Sequence, residues 1–339
     1  IISRNLLRND WMIAYLFGCS PAVCKSYLSG KKTQLESFDQ HTYYEKNATS
    51  LRMGDIGYQN NLEEDMGVHI DYNSLKKYTA SLTKAIKKPS SEYKKIGVFS
   101  DGYYKQINEN ILQIENEYYS SVRPKPDPSF TCRPSKGLLK GGVNYIELRS
   151  IDNNIYTNTG IDLEQMYFIE LLIIHSLIQK NDEISDKEYF EIKSNLTIVA
   201  HNGRDKNCTI KVNGKNTLLI SSLEKNLEEL KKLASLMDKI TGDKNYKETI
   251  EKQIMKLKDN TKLPSNIVID YMTKNKLSFY EYCMKNIEYQ KKYFRDLDIN
   301  TDIMSKLKGE IDNSLKKRHD LEIDLDESYE TYIKNYFKD

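Results

Sequence analysis

A change of pattern near residue 160 constrains this 339-residue chain more than any other feature. Before that point, short runs that alternate apolar and polar residues are separated by turn-forming residues; after it, apolar residues recur at helical spacing. Runs of strands followed by runs of helices are typical of α+β proteins. We therefore expect an α+β fold, in which residues 1–215 form sheet and packed helices and residues 216–339 form a helical region of the same domain.

Several segments carry boundary signals of their own. Apolar residues at helical spacing predict helices over residues 75–87 and 161–179. The Asn-Gly pair at residues 213–214 predicts a hairpin turn between two strands. Two Ser-x-x-Glu capping boxes, which start at Ser221 and Ser278, predict where two later helices begin.

Residues 143–150 carry the clearest chemical signal. Their alternation predicts a strand on which Ile146 and Leu148 face one side, while Glu147 and Arg149 share the other. Such a pair can be an ordinary ion pair between sheet neighbours. Alternatively it is functional: the Glu147 carboxylate would bind a hard cation, and the planar fork of Arg149 would bind phosphate oxygens. The pattern alone leaves both interpretations open.

A second alternating segment, residues 111–119, predicts another strand. Its polar face would carry Glu115, Glu117 and Tyr119. Two like charges two residues apart repel each other unless a cation lies between them. We therefore expect this face to be polar and wet rather than part of the core.

Composition excludes several classes of function. The chain has 51 lysines and arginines and 49 aspartates and glutamates, which gives a formal charge of +2. A dedicated nucleic-acid binder would carry a large excess of basic residues. The five cysteines include no C-x-x-C pair, which suits a reducing cytoplasm rather than a disulfide framework. The longest apolar run falls short of the ~20 residues that cross a bilayer. We expect a monomeric, cytoplasmic protein without nucleic-acid or membrane partners.

Five stretches of the chain occur in the order, and with nearly the spacing, of one enzyme family. They are residues 15–22, 48–58, 112–119, 123–125 and 141–152. These stretches resemble the proteobacterial-type glutamate–cysteine ligases. The resemblance implies a curved, mostly antiparallel sheet of the glutamine synthetase-like superfamily with a helical C-terminal region. It covers the whole chain but only the later two thirds of a family member, so we expect a fragment that lacks the N-terminal acidic motif and its metal ligands.

The resemblance implies a role for five residues. Arg149 would contact the transferred phosphoryl group of ATP as the catalytic residue, and Glu147 would be a ligand of Mg²⁺, with Mn²⁺ as a possible substitute. Arg52 would bind a substrate carboxylate, although its spacing alone indicates nothing specific. Tyr58 and Tyr119 would line the cysteine pocket.

The reaction that the resemblance implies is the ATP-dependent ligation of L-glutamate to L-cysteine. The γ-carboxylate becomes an acyl phosphate, and the cysteine amine displaces phosphate to give γ-glutamylcysteine, the first step of glutathione biosynthesis. The partners would be small molecules: glutamate, cysteine and ATP. Two alternatives stay open. One is another carboxylate–amine ligase, such as the front module of a bifunctional glutathione synthetase, and the other is a non-catalytic remnant of the fold.

Overall fold

The computed structural model describes residues 1–29, 31–57, 67–130, 132–323 and 328–338. Strands and helices are mixed before residue 150, and helices prevail after it. The helices of the described residues are α1 (Ile2–Phe17), α2 (Leu75–Lys87), α3 (Ser91–Ile96), α4 (Pro134–Gly141), α5 (Leu163–Ile178), α6 (Asp186–Asn202), α7 (Leu219–Thr241), α8 (Asn245–Lys258), α9 (Pro264–Asn275), α10 (Phe279–Asp296), α11 (Thr301–Ile323) and α12 (Tyr329–Phe337).

The strands are short, and every pairing in the described sheets is antiparallel. They are β1 (Ala22–Cys24), β2 (Glu36–Ser37), β3 (Thr42–Tyr44), β4 (Phe99–Ser100), β5 (Tyr103–Tyr104), β6 (Val122–Lys125), β7 (Tyr145–Leu148), β8 (Thr209–Val212) and β9 (Lys215–Leu218). One small sheet has the order β1-β3-β2, and the others are the pairs β4-β5, β6-β7 and β8-β9. Together with the helices they make an α+β fold, as predicted.

Helix α1 lies in the main hydrophobic core. It packs against α5, α6 and β6, and Leu6, Met12 and Leu16 are at most 1% exposed. All residues from Asp10 to Phe17 are buried, so the second half of the helix is enclosed on all sides. The carboxyl group of Asp10 is buried in the same helix. The helical region joins this core, because α7 packs on α8 and both contact α5.

Four of the local boundary signals are confirmed. Helix α5 spans Leu163–Ile178, within the residues 161–179 predicted to be helical. Helix α2 spans the predicted residues and begins after Ser74, whose side chain accepts a hydrogen bond from the Lys77 amide. The hairpin between β8 and β9 turns at Asn213 and Gly214, which have φ values of 51° and 75°, the left-handed conformation that the Asn-Gly pair tolerates. The capping box at Ser278 is present at the start of α10.

The predicted capping box at Ser221 is wrong. Strand β9 ends at Leu218 and the helix α7 begins at the next residue, Leu219. Ser221 therefore lies inside the first turn of α7 and not before it, because no residues separate the second strand of the hairpin from the helix. A local capping pattern contains no information about where the preceding strand ends.

The predicted strand over residues 111–119 is also wrong. These residues form bends and a 3₁₀ turn at Glu115–Glu117. Glu115 is fully buried, where it accepts a hydrogen bond of 2.7 Å from the Ser135 amide and lies 3.5 Å from Nε of Arg133. The residues expected to share one solvent-exposed face are therefore separated. Glu115 is buried beside the guanidinium of Arg133, whereas Tyr119 is 43% exposed. Alternation alone does not supply a partner strand.

The last two helices lie largely on the surface. No residue of α11 or α12 is buried, and α12 reaches back to the first half of the chain, where the hydroxyl of Tyr104 donates to Glu330 over 3.1 Å. Among the described helices, none is both long and apolar enough to cross a membrane.

Candidate active site

Strands β6 and β7 build the centre of the candidate site. They pair in a register that sets Arg123 opposite Glu147, and the amide of Arg149 donates to the Ser121 carbonyl over 2.7 Å. The strand predicted at residues 143–150 is therefore confirmed over Tyr145–Leu148. Residues two apart on a strand share a face, and this places the side chains of Glu147 and Arg149 next to each other.

The carboxylate of Glu147 lies between two cations. Its Oε2 is 2.9 Å from Nε of Arg149 and 3.4 Å from Nζ of Lys125. Lys125 received no role from the sequence, although it ends one of the matching stretches. About a third of the Glu147 side chain remains exposed, so the ion pairs do not seal the carboxylate from a ligand.

Glu147 has the property expected of a metal ligand. Its Oε2 atom is buried, yet it accepts no well-aligned hydrogen bond from the described residues. A carboxylate oxygen is a suitable donor for a hard cation such as Mg²⁺, which proteins bind through one or two carboxylates together with phosphate oxygens, and here the cation would share Oε2 with Arg149 and Lys125. Among the described residues there is no group of three or more His, Cys, Asp or Glu side chains that could hold a metal ion. Glu147 is an oxygen donor of the type that Mg²⁺ takes, outside any protein cage of three or more such side chains among the described residues.

Arg149 is a half-buried cation beside this carboxylate. Its side chain is 25% exposed, and burial lowers the pKa of its guanidinium from the usual value. A guanidinium nevertheless stays protonated in proteins at neutral pH. The chain thus presents a fixed positive charge with a planar donor fork, which is the geometry that binds two oxygens of a phosphate group.

Arg52 lies against the end of the same strand. Its Nε donates to Oδ1 of Asp152 over 2.9 Å, and its Nη2 donates to the carbonyls of Arg149 and Ile151, each over 2.7 Å. The Arg52 side chain is 35% exposed. The structure therefore brings Arg52, Arg149 and Glu147 together, and it anchors Arg52 through the backbone that follows Arg149.

Asp152 is a second residue, after Lys125, that the sequence reasoning missed. It is 3% exposed, and besides Arg52 it accepts hydrogen bonds from the Cys19 amide and from the hydroxyls of Ser20 and Ser50 at 2.7–2.9 Å. Burial, followed by the charge of Asp152, raises the pKa of the Cys19 thiol. No local pattern could have identified Asp152, because its partners lie 100 or more positions away in the chain.

The two candidate tyrosines have different outcomes. Tyr58 lies outside the described residues. Tyr119 lies two positions before Ser121, the residue whose carbonyl accepts the Arg149 amide, and it lines a small cavity between β6 and helices α1 and α6. The structure therefore places Tyr119 near the β6–β7 pair but not on a strand.

A histidine clamp holds the segment that contains Arg52. Nδ1 of His201 lies 2.6 Å from Oε2 of Glu45, and its Nε2 lies 2.9 Å from Oδ1 of Asp55. Burial lowers the pKa of His201, but the hydrogen bond and charge of Glu45, followed by those of Asp55, outweigh it and raise the pKa overall. Gly54 packs on the ring so closely that a Cβ there would lie 2.4 Å from Nε2.

The fold and the site together define an α+β protein whose strand pair presents a carboxylate between two cations. A model of the family described as glutamate-cysteine ligase matches residues 1–199. The chain belongs to the glutamate–cysteine ligase family. It is 34% identical over 344 residues to a glutamate–cysteine ligase of Alcanivorax borkumensis, which covers all of this chain and 65% of that relative. The chain thus spans about 65% of the relative's length.

Solved structures agree with this assignment. A crystal structure of glutamate–cysteine ligase from Francisella tularensis in complex with AMP superposes with a TM-score of 0.89 at 28% identity, over 99% of this chain and 66% of that one. This likeness confirms the α+β fold class, in which the sheets of the described residues are small and antiparallel, with two or three strands each. A bifunctional glutathione synthetase from Pasteurella multocida shares the fold alone, with a TM-score of 0.60 at 20% identity over 87% of this chain and 32% of that one.

Proposed function

We propose that this chain carries part of the active site of an ATP-dependent glutamate–cysteine ligase. The observation that carries the proposal is the Glu147–Arg149 pair, because it holds a partly exposed carboxylate beside a guanidinium, with the Lys125 ammonium on the other side. Membership of the family and the AMP complex of the Francisella relative support the use of a nucleotide.

The proposed reaction has two stages. ATP transfers its terminal phosphoryl group to the γ-carboxylate of glutamate, which turns a poor leaving group into phosphate. The amine of cysteine then attacks the acyl carbon, and phosphate leaves to give γ-glutamylcysteine. Phosphoryl transfer depends on positioning and charge neutralisation more than on a protein nucleophile.

The side chains divide this work by their charge. Arg149, held in place by its ion pair with Glu147, would neutralise and orient the oxygens of the transferred group. Arg52 would receive a substrate carboxylate, supported by its cationic group and its partial exposure beside Arg149. Tyr119, together with Tyr58, would line the cysteine pocket. Asp152 would act as a positioning residue for Arg52.

Glu147 would hold Mg²⁺, for which Mn²⁺ is a possible substitute. The ion, when bound, neutralises negative charge on the phosphate oxygens of ATP. Without the ion, Glu147 would keep Arg149 oriented. With the ion bound, Glu147 would supply one anionic oxygen to the metal.

The test is ATP-dependent phosphate release in the presence of glutamate and an acceptor. We would assay the chain alone and the chain joined to the N-terminal third of the Alcanivorax relative, with a panel of amino acids as acceptors. Release that requires glutamate and is fastest with cysteine supports the proposal. Release with a different preferred acceptor indicates another carboxylate–amine ligase, and no release from the joined protein indicates a non-catalytic remnant.

A further inference from the structure

A small cavity lies beside Tyr119, between the start of β6 and helices α1 and α6. Its volume is about 40 Å³, which has room for a few atoms of the size of a water molecule. Asp10 of α1, Tyr119 and Ser121 before β6, and Tyr189 and Lys193 of α6 contribute to its wall. The cavity therefore joins a candidate substrate residue to a buried carboxyl group.

The carboxyl group of Asp10 is buried and only half satisfied. The side chain is 1% exposed, and its Oδ2 accepts a hydrogen bond from the hydroxyl of Ser121. Its Oδ1 is buried and accepts no well-aligned hydrogen bond from the described residues. Burial raises the pKa of Asp10 to about 7, although the Ser121 hydroxyl and, more weakly, the backbone amides of Trp11 and of Asp10 itself oppose this change. An unsatisfied buried acceptor lowers the stability of the folded protein. A ligand that donates a hydrogen bond to this oxygen therefore gains binding free energy.

The other described polar groups around the cavity interact with each other and make no well-aligned hydrogen bond to Oδ1 of Asp10. The hydroxyls of Tyr118 and Tyr189 are 2.9 Å apart and are bonded to each other. The ammonium of Lys193 lies over the ring of Tyr189, 6.0 Å from its centroid. Of the described residues that line the cavity, Asp10 is the acidic one and Lys193 the basic one. Because the Lys193 ammonium lies over the Tyr189 ring and Oδ1 of Asp10 lacks a well-aligned donor among these residues, the end of the cavity at Asp10 favours a compact cationic donor.

Ser121 places this cavity next to Arg149. Its carbonyl accepts the Arg149 amide over 2.7 Å, while its hydroxyl donates to Asp10. One residue thus separates the carboxyl group in the cavity from the strand residue proposed to contact the transferred phosphoryl group. An acceptor amine must approach the acyl phosphate from a neighbouring position, and Ser121 connects the Tyr119 cavity to the backbone of Arg149.

We propose that the cavity binds the ammonium group of the acceptor amino acid and that Oδ1 of Asp10 receives one of its protons. This inference rests on the proposed ligase function. An N–H bond of the ammonium breaks and its proton moves to the carboxylate of Asp10, which leaves a lone pair on nitrogen. That lone pair forms the C–N bond to the acyl carbon, and the C–O bond to phosphate breaks with its electron pair. The second amine proton leaves on the phosphate, so atoms and charges balance.

The electrostatics of the cavity suit this step. A nearby ammonium lowers the pKa of a buried carboxyl group and favours its ionised form. Once the proton has moved, both groups are neutral, which is the state that burial favours. The site would therefore bind the acceptor as an ion pair and convert it to a nucleophilic amine without leaving a buried unpaired charge.

The test compares Asp10→Asn with Ser121→Ala in the joined protein described above. Asparagine keeps the shape and can still accept the hydrogen bond from Ser121, but it carries no negative charge. Equilibrium binding is measured with L-cysteine and with 3-mercaptopropionate, which has the thiol and the carboxylate but no amine. We expect Asp10→Asn to weaken binding of cysteine about 10–100-fold and to leave binding of 3-mercaptopropionate unchanged. Ser121→Ala should affect both ligands to the same small extent.

A second measurement uses the unaltered protein and does not depend on how a variant folds. Difference infrared spectra at pH 6 should show that cysteine, but not 3-mercaptopropionate, ionises a buried carboxylic acid. The inference would be overturned if Asp10→Asn lowered the affinity for both ligands equally or left the affinity for cysteine unchanged. It would also be overturned if both ligands gave the same infrared difference spectrum. If cysteine binds as expected but no phosphate is released, the ammonium site stands and the ligase proposal fails.

Discussion

Nε of Arg52 donates to Oδ1 of Asp152 over 2.9 Å, and three more donors converge on the same buried carboxylate. This contact joins the loop after β3 to the end of β7, where Nη2 of Arg52 also reaches the carbonyl of Arg149. The position of Arg52 in the candidate site is therefore set by a carboxylate exactly one hundred positions away in the sequence.

The first prediction concerns that carboxylate. Asp152→Asn should lower the free energy of unfolding by on the order of 3 kcal/mol, because it leaves the partly buried Arg52 without its counter-charge. Ser20→Ala, which removes one of the four hydrogen bonds, should cost only ~1 kcal/mol. Urea denaturation of both variants measures the difference, and equal losses would contradict the central role of Asp152.

The second prediction concerns Arg149. In the protein joined to its relative's N-terminal third, Arg149→Ala should lower kcat by ~10²–10³, the loss typical of one charge-stabilising donor. Arg149→Lys should lose less, because it keeps the charge but not the planar fork. Steady-state phosphate release measures both. A kcat near that of the unaltered protein would remove Arg149 from the mechanism.

The third prediction concerns the metal. Glu147→Gln should raise the Mg²⁺ concentration that gives half-maximal activity by at least about tenfold, because the ion loses an anionic oxygen. Chelation should abolish the activity of the unaltered protein. Glu117→Gln is the matched control, since that carboxylate accepts the Gln113 amide away from the strand pair. The same metal requirement in Glu147→Gln and the control would exclude Glu147 as a ligand.

The fourth prediction concerns the tyrosines. Tyr119→Phe and Tyr58→Phe should each raise KM for cysteine and change KM for ATP little, because each would lose a hydroxyl that we propose contacts cysteine alone. Tyr104→Phe serves as a control, since its hydroxyl bonds to Glu330 on the distant helix α12. A change in KM for glutamate in place of cysteine would show that the pocket is assigned to the wrong substrate.

The fifth prediction concerns pH. The raised pKa of His201 means that the folded state holds its proton more tightly than the unfolded chain. The clamp therefore contributes its full stability below pH 6.5 and loses it as the pH rises through the folded-state pKa. With solvent screening the contribution is on the order of 1 kcal/mol. The difference in unfolding free energy between the unaltered chain and His201→Gln should shrink between pH 6 and pH 9; a constant difference would refute the clamp.

The candidate site was predictable where it depends on neighbouring residues. The alternation over residues 143–150 predicted a strand, and a period of two places Glu147 beside Arg149 whatever the strand packs against. The helix over residues 75–87, the hairpin at residues 213–214 and the cap at Ser278 follow from local hydrogen bonding in the same way.

The same reasoning failed where a pattern needs a distant partner. Residues 111–119 alternate like a strand, yet a strand exists only if another chain segment pairs with it, and Glu115 instead turns inward to Ser135 and Arg133. A capping pattern at Ser221 was overridden because β9 leads directly into α7. In both cases, the neighbouring structure decided the outcome.

The sequence by itself determined the fold class, the strand that presents Glu147 and Arg149, and the resemblance to the ligase family. Only the tertiary structure decided that Asp152 anchors Arg52, that Lys125 lies beside Glu147, and that Asp10 keeps an unsatisfied oxygen in the Tyr119 cavity. The physical reason is the range of the forces involved. Periodicity and capping act within a few residues, whereas burial and ion pairing depend on which distant segments the fold brings together.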